Sequence, residues 1–195
     1  MFDVTDFQKS LKILKNNNEL SDFQKVRTFY QLCDKHKVEP ILSRLSGSIK
    51  SLSLSIYLIT FTNSRIIISK KKLLRNFFDF GYIAGLGPFL YYIVSDKRKS
   101  DNIKINDSYI INPLDDLDSK NNFYINYANI KKLVFYRGLE TMTTNMLGST
   151  LKHNVFRIFS HDDLYEYIIS VRKNGDYEKI FYWLKLALPI DVFEE

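Results

Sequence analysis

The strongest constraint on the fold is a change of hydrophobic period near Ile49. From there to Leu58, apolar residues alternate with polar ones, as in a β-strand that buries one face. The residues Phe61-Thr62-Asn63-Ser64 then favour a turn, and the β-branched run from Arg65 to Ser69 predicts a returning strand. This hairpin is the clearest local structure that the sequence predicts.

The residues before about 47 have helical periodicity instead. Phe7, Leu11 and Leu14 recur at helical spacing, a second helix is predicted from near Ser21, and a short third one from Pro40 to Leu45. Three short helices could form a helix-turn-helix that binds DNA. However, the third is too short and too poorly basic for a recognition helix, so a packing role is favoured.

More strands and two closing helices are predicted after residue 100. The strand candidates are Ser108 to Asn112, Phe123 to Tyr127, Lys131 to Tyr136, Val155 to Phe159 and a weaker one within Glu140 to Met146. Ser160 and Asp163 resemble a capping box, which predicts a helix from His161 to Arg172. A last helix is predicted from about Tyr177 to Leu188.

Three features in this order carry a family resemblance. A strand ends in a Thr-Asn-x-Arg turn at Thr62 to Arg65. A second strand enters an aromatic-polar-x-Ile step within Ile125 to Ile130, and the strand Val155 to Phe159 leads directly into the helix predicted from His161 to Arg172. The chain thereby resembles the PH-like domains of bacteria and archaea, the GRAM/PH-like barrels. The resemblance implies an α+β fold, namely a bent, nearly closed antiparallel PH-like β-barrel capped by a C-terminal helix. It also implies binding of lipids, peptides or proteins rather than chemistry.

The resemblance divides the chain into three regions. Residues 1–47 form a helical N-terminal appendage, residues 48–173 form the barrel and its capping helix, and residues 174–195 form an additional helix. The N-terminal and additional helices depart from the family pattern, and so does an insertion after Ile68 that contains the apolar segment 77–94.

The net charge of the chain is concentrated around this insertion. Between Arg65 and Lys99 stand eight basic and two acidic residues, and their net charge of +6 equals that of the whole chain. Such a cluster suits phosphate-bearing partners, although a solvated face that maintains solubility explains it equally simply. The predicted residues for binding an anionic ligand or lipid are Lys70, Lys71, Lys72, Arg75, Lys97, Arg98 and Lys99.

Between these basic runs lies an apolar segment with glycines and a proline in its middle. Gly85 to Pro88 predict the tip of a hairpin, and a single membrane-spanning helix is not favoured because the segment is short and interrupted. The segment could pack against the barrel or the helices, enter a membrane interface, or form an interface with a partner protein. The predicted interface residues are Phe77, Phe78, Phe80, Tyr82, Leu86, Phe89, Leu90, Tyr91 and Tyr92.

The sequence offers no recognisable catalytic pattern. The three histidines fall on different predicted elements, the only cysteine is Cys33 on an apolar helical face, and the acidic run from Asp115 to Asp118 lacks the spacing of a calcium loop. We therefore expect a protein that is not an enzyme, with no metal site and no cofactor.

The preferred hypothesis is a binding module or adaptor that docks on an anionic membrane surface or on a partner protein through the basic and apolar insertion. One alternative is a nucleic-acid-binding protein that uses the cluster from Arg65 to Lys99. The other is a structural module that forms homo-oligomers. The first residues lack the pattern of a secretory signal, so we expect a cytoplasmic protein, peripheral to the membrane if it binds lipid.

Overall fold

Two helices begin the chain, as predicted. In the computed structural model, which describes residues 4–48, 56–71, 92–93, 122–144, 150–169, 181–182 and 184–195, α1 spans Val4–Asn16 and α2 spans Asp22–His36. Ser21 caps α2 through a reciprocal pair of hydrogen bonds, because its hydroxyl accepts from the Gln24 amide and the Gln24 side chain accepts from its amide. Phe7 and Phe29 face each other across the helix pair, with ring centroids 6.4 Å apart.

The eight described strands form one hydrogen-bonded sheet. Their bounds are β1 Ile41–Ser48, β2 Ile56–Thr62, β3 Arg65–Lys71, β4 Asn122–Asn126, β5 Ile130–Thr144, β6 Thr150–Ser160, β7 Leu164–Ile169 and β8 Val192–Glu194. A 3-10 turn, Tyr127–Asn129, joins β4 to β5. The spatial order is β4-β3-β2-β1-β7-β6-β5-β8, and only the pair of β5 with β8 is parallel among the described strands.

The predicted central hairpin is confirmed where the structure describes it. Strands β2 and β3 pair in the antiparallel sense, with Ile59 opposite Ile68 and both fully buried. The turn between them consists of Asn63 and Ser64. The predictions for Phe123 to Tyr127, Lys131 to Tyr136, Glu140 to Met146 and Val155 to Phe159 correspond to β4, β5 and β6, whereas Ser108 to Asn112 lies outside the described residues.

The predicted third helix is wrong, because residues 41–48 form β1. Ile41, Leu42 and Leu45 are all buried, and pairing of β1 with β2 along its length, and with β7 at Gly47 and Ser48, supplies backbone hydrogen bonds in place of those of a helix. Gly47 lies where β1 meets β7, and a Cβ atom there would come within 3.0 Å of the Tyr167 Cβ atom. This glycine therefore allows two strands to approach closely.

The helix predicted from His161 is also wrong within the described residues, since Leu164–Ile169 is β7. The Ser160 hydroxyl does accept from the Asp163 amide, at 2.8 Å, as a capping side chain would. Here, however, the Ser160 amide also donates to the Asp163 carbonyl at 2.9 Å, which closes a tight turn between β6 and β7. The same local hydrogen bond therefore serves a hairpin.

The eight-stranded sheet folds over its own core. Phe123 on β4 and Tyr165 on β7 have ring centroids 5.3 Å apart, although three strands separate β4 from β7 in the order. Neighbouring strands lie about 4.8 Å apart, so a flat sheet would hold these two residues roughly 19 Å apart. Phe61 on β2 and Phe156 on β6 also meet, at 5.8 Å. The four strands from β4 to β1 thus face the four from β7 to β8.

The chain returns to this core after β7. Residues 181–182 and 184–187 are helical, as predicted for 177–188, and the Phe181 ring packs edge-on against Phe135 at 6.1 Å. Strand β8, which was not predicted, then adds to the edge of β5. The α+β class is confirmed, while the described strands β4 and β8 at the two ends of the order are not paired with each other.

Candidate functional site

The two ends of β3 carry the described part of the predicted basic cluster. Lys70 is exposed and lies opposite Tyr57 on β2, and Lys71 is the last residue of the strand. The remaining basic residues of the predicted site lie outside the described residues: Lys72, Arg75, Lys97, Arg98 and Lys99.

Arg65 begins β3, and its charge is neutralised within the protein. Its Nε and Nη2 atoms donate to the two carboxylate oxygens of Glu39, both at 2.8 Å, in a two-bond ion pair. The guanidinium also stacks over the Tyr124 ring, 4.6 Å from its centroid. Arg65 is therefore not an anion-binding residue like the lysines. Its charge has to be left out of the net positive charge that the sequence assigned to the cluster from Arg65 to Lys99.

Glu39 is the centre of a polar cluster between α2 and the hairpin turn. The hydroxyl oxygens of Thr62 and Ser64 lie 2.8 and 2.9 Å from its Oε1 atom. Burial by itself would raise the pKa of Glu39, but the hydrogen bonds from Arg65, Thr62 and Ser64 outweigh burial and hold the pKa below its ordinary value. The carboxylate thus stays ionised and paired in the folded protein.

Tyr127 extends this cluster to the 3-10 turn. Its buried hydroxyl donates to the Thr62 carbonyl at 2.8 Å, across 65 residues of sequence. One set of hydrogen bonds therefore joins Glu39, which follows α2, to the β2–β3 turn region and to the 3-10 turn. Because its charged groups are paired with each other, we interpret the cluster as structural. Sequence reasoning missed Glu39, because the partial burial of Arg65, which creates the need for an acidic partner, is visible only in the structure.

Near the end of the apolar segment 77–94, residues 92–93 are described, and they pack against α1. Ile93 is fully buried in the main core, and Tyr92 is half-buried beside it. The Lys15 Nζ atom lies 4.5 Å from the centroid of the Tyr92 ring, which is the geometry of a cation–π contact. Tyr92 thus contributes to packing, and the other predicted interface residues lie outside the described part: Phe77, Phe78, Phe80, Tyr82, Leu86, Phe89, Leu90 and Tyr91.

The insertion connects two strands that are already neighbours. Ser69 on β3 pairs with Asn122 on β4, so a hairpin loop of about two to five residues would be sufficient to join them. The chain instead places residues 72–121 between these strands. Pairing of β3 with β4 does not require so long a connection.

The described residues show no constellation for metal chemistry or covalent catalysis. No group of three or more His, Cys, Asp and Glu residues is placed there to hold a metal ion. Burial raises the pKa of the Cys33 thiol, with a further contribution from the nearby Asp34, and an inert thiol results. Within the same part of the chain, no helix is both long and apolar enough to cross a membrane.

Comparison with known proteins gives a weak structural similarity. No family model matches the chain, and no curated protein matches it significantly. Among solved structures, the hSac2 domain from the human phosphoinositide phosphatase Sac2 is similar with a TM-score of 0.37 and 10% sequence identity, over 78% of this chain and 74% of that domain. A TM-score this low does not establish a shared fold, so we assign neither fold nor function from it.

Proposed function

We propose that this protein is a non-catalytic binding module on a PH-like barrel, and that it docks on an anionic membrane surface through its insertion. The antiparallel order from β4 to β5, the fold-over that brings Phe123 to Tyr165, and the packing of the last helical residues on Phe135 support the PH-like arrangement. An open end of such a barrel is a place where a long connection can serve binding.

The observation that carries the proposal is the position of the insertion. It leaves the sheet at Lys71, immediately after the exposed Lys70, and connects strands that need only a short loop. Its sequence places two lysine- and arginine-rich runs on either side of an apolar, aromatic segment. Lysines near an anionic surface and aromatic side chains at the depth of the headgroups are the combination that peripheral membrane proteins use.

The packing of Tyr92 and Ile93 restricts which residues of the insertion can contact the membrane. The end of the apolar segment is committed to the core, so membrane contact is assigned to the residues that precede Tyr92 and to the two basic runs. The insertion is therefore held at its start by β3 and, within it, at Tyr92 by α1.

The test is co-sedimentation of the protein with neutral and anionic liposomes at low and moderate salt. We expect binding to anionic vesicles that weakens with salt. Replacing Lys70, Lys71 and Lys72 by glutamine should weaken the free energy of binding to anionic vesicles by about 3 kcal/mol, at roughly 1 kcal/mol per lysine. This corresponds to a loss of about a hundredfold in partitioning. The matched control replaces three exposed lysines elsewhere, Lys9, Lys12 and Lys131, and we expect a much smaller loss.

Equal losses in the two triple variants would show that only net charge matters and would refute this site. Absence of binding to either kind of vesicle would refute the membrane surface and favour a partner protein. A low-salt shift assay with DNA and RNA separates the nucleic-acid alternative, which predicts binding that falls steeply with salt.

A further inference from the structure

The last strand, β8, differs from the rest of the sheet. It spans three residues, runs parallel to β5, and pairs with β5 alone among the described strands, whereas every other described pair is antiparallel. It is therefore an extended segment laid along an edge that β5 would otherwise leave open. We call residues 191–195, which include β8, the edge segment.

Backbone hydrogen bonds hold the edge segment to β5. The Leu133 amide donates to the Asp191 carbonyl at 3.2 Å, and the Glu195 amide donates to the Phe135 carbonyl at 2.9 Å. The Arg137 amide donates to the Glu195 carbonyl at 3.2 Å. These bonds depend on backbone atoms, so any extended chain in the same register can form them.

One side chain of the edge segment enters the core. Val192 is 5% exposed and lies opposite Leu133, whereas Phe193 is 45% exposed and both glutamates that follow are exposed. A segment with so few buried groups is among those that open locally without unfolding of the whole protein.

The side chain of Lys132 gives this edge its charge preference. Its Nζ atom lies 3.9 Å from the Glu195 Oε1 atom and 5.9 Å from the centroid of the Phe193 ring. It also lies 4.8 Å from the centroid of the Phe159 ring on β6. An aromatic residue followed by acidic ones is therefore complementary to this surface.

We propose that the edge of β5 is a binding site for an extended acidic peptide of a partner protein, and that the edge segment is its internal occupant. The partner peptide carries a small aliphatic residue at the position of Val192, an aromatic residue next, and then acidic residues. It displaces β8 and adds to β5 as a strand. This proposal does not rest on the lysines of the insertion or on membrane binding.

The test uses the full chain and a fluorescent synthetic peptide with the sequence of residues 190–195. In the wild-type protein the edge segment competes at an effective concentration on the order of mM, so we expect weak binding. In the variant V192D the aspartate cannot remain buried, the edge segment is released, and we expect peptide binding at least tenfold tighter. A folded V192D protein that binds the peptide no better than the wild type would overturn the proposal.

Two neighbouring lysines of β5, Lys131 and Lys132, provide a matched control. On the V192D background, we expect K132E to weaken peptide binding at least tenfold, because it opposes the acidic residues of the peptide. The same change at the adjacent, exposed Lys131 should have little effect. Equal effects of K132E and K131E would show nonspecific charge attraction and would contradict the site.

Hydrogen exchange of the wild-type protein tests the proposal without any variant. We expect the amides of Arg137 and Glu195 to exchange much faster than those of Val155 to Ile158 in the paired centre of β6. Exchange of both groups only by global unfolding would overturn the proposal. A wild-type dimer that the peptide dissociates would instead show that a second copy supplies the strand, which contradicts a partner protein.

Discussion

Arg65 and Glu39 are joined by two hydrogen bonds of 2.8 Å, although 26 residues separate them in sequence. Glu39 lies two residues before the start of β1, and Arg65 begins β3. The pair therefore ties the chain that leaves α2 to the turn of the central hairpin. Their side chains are only 22% and 17% exposed, so each depends on the other for compensation of its charge.

We predict that R65M destabilises the protein by about 3 kcal/mol, because the carboxylate of Glu39 remains largely buried without its cation. R65K keeps the charge but loses the two-bond geometry, so its loss should be smaller. Urea unfolding measures both. K9Q removes a lysine from an exposed pair with Asp6 and should change the free energy of unfolding by less than about 0.5 kcal/mol. Equal effects of R65M and K9Q would contradict the prediction.

The lowered pKa of Glu39 predicts a pH dependence of stability. A carboxyl group whose pKa is lower in the folded protein stabilises it above the unfolded pKa, here about 4.5, and this contribution is lost as the pH falls through the folded pKa. We expect unfolding measured between about pH 5 and 2 to show a smaller loss of stability in E39Q than in the wild type. Parallel profiles of stability against pH for E39Q and the wild type would mean that Glu39 does not contribute to the pH dependence. E19Q, at an exposed position, is the comparison variant.

Two buried tyrosines are expected to respond oppositely to removal of the hydroxyl group. Y127F leaves the buried Thr62 carbonyl without its donor and should cost about 1–2 kcal/mol. The Tyr30 hydroxyl is buried and makes no hydrogen bond within the described structure, so Y30F should be neutral or stabilising by up to about 1 kcal/mol. Denaturant unfolding of both variants checks this; a comparable loss in Y30F would reveal a partner of its hydroxyl.

The contact between Lys15 and Tyr92 should appear as a coupling energy. In a double-mutant cycle with K15M and Y92L, we expect about 1 kcal/mol of coupling in the free energy of unfolding, which is typical of a cation–π contact that is partly removed from water. Additive effects of the two substitutions would show that Tyr92 does not pack on α1.

Close approach of β1 and β7 makes Gly47 sensitive to substitution. A Cβ atom there would lie 3.0 Å from the Tyr167 Cβ atom and 3.3 Å from the Ile168 carbonyl oxygen, and the backbone oxygen cannot move alone. We expect G47A to cost about 1 kcal/mol or more and G47V to cost more. The comparison is G138N, because Gly138 has a left-handed backbone that Asn tolerates and no atom within 4 Å of a Cβ. Its loss, by the same unfolding measurement, should be smaller than that of G47V.

The sequence by itself determined the elements whose signals are local. The Ser21 cap predicts the start of α2, and the Asn63-Ser64 turn followed by the β-branched run of residues 66–68 predicts the hairpin of β2 and β3. Such signals depend on residues a few positions apart, so they survive without knowledge of the rest of the chain. The α+β class was implied by the resemblance to the PH-like domains.

Only the tertiary structure decided the identity of β1 and β7, the partner of Arg65, and the addition of β8. In the segments around Leu42 and Tyr167, apolar residues stand at spacings that fit a helix and a two-sided strand alike, and pairing with the neighbouring strands of the sheet chooses between them. Glu39 and Val192 gain their roles from neighbours that lie far away in sequence. Contacts of this kind join residues that are far apart in sequence, and no local period encodes them.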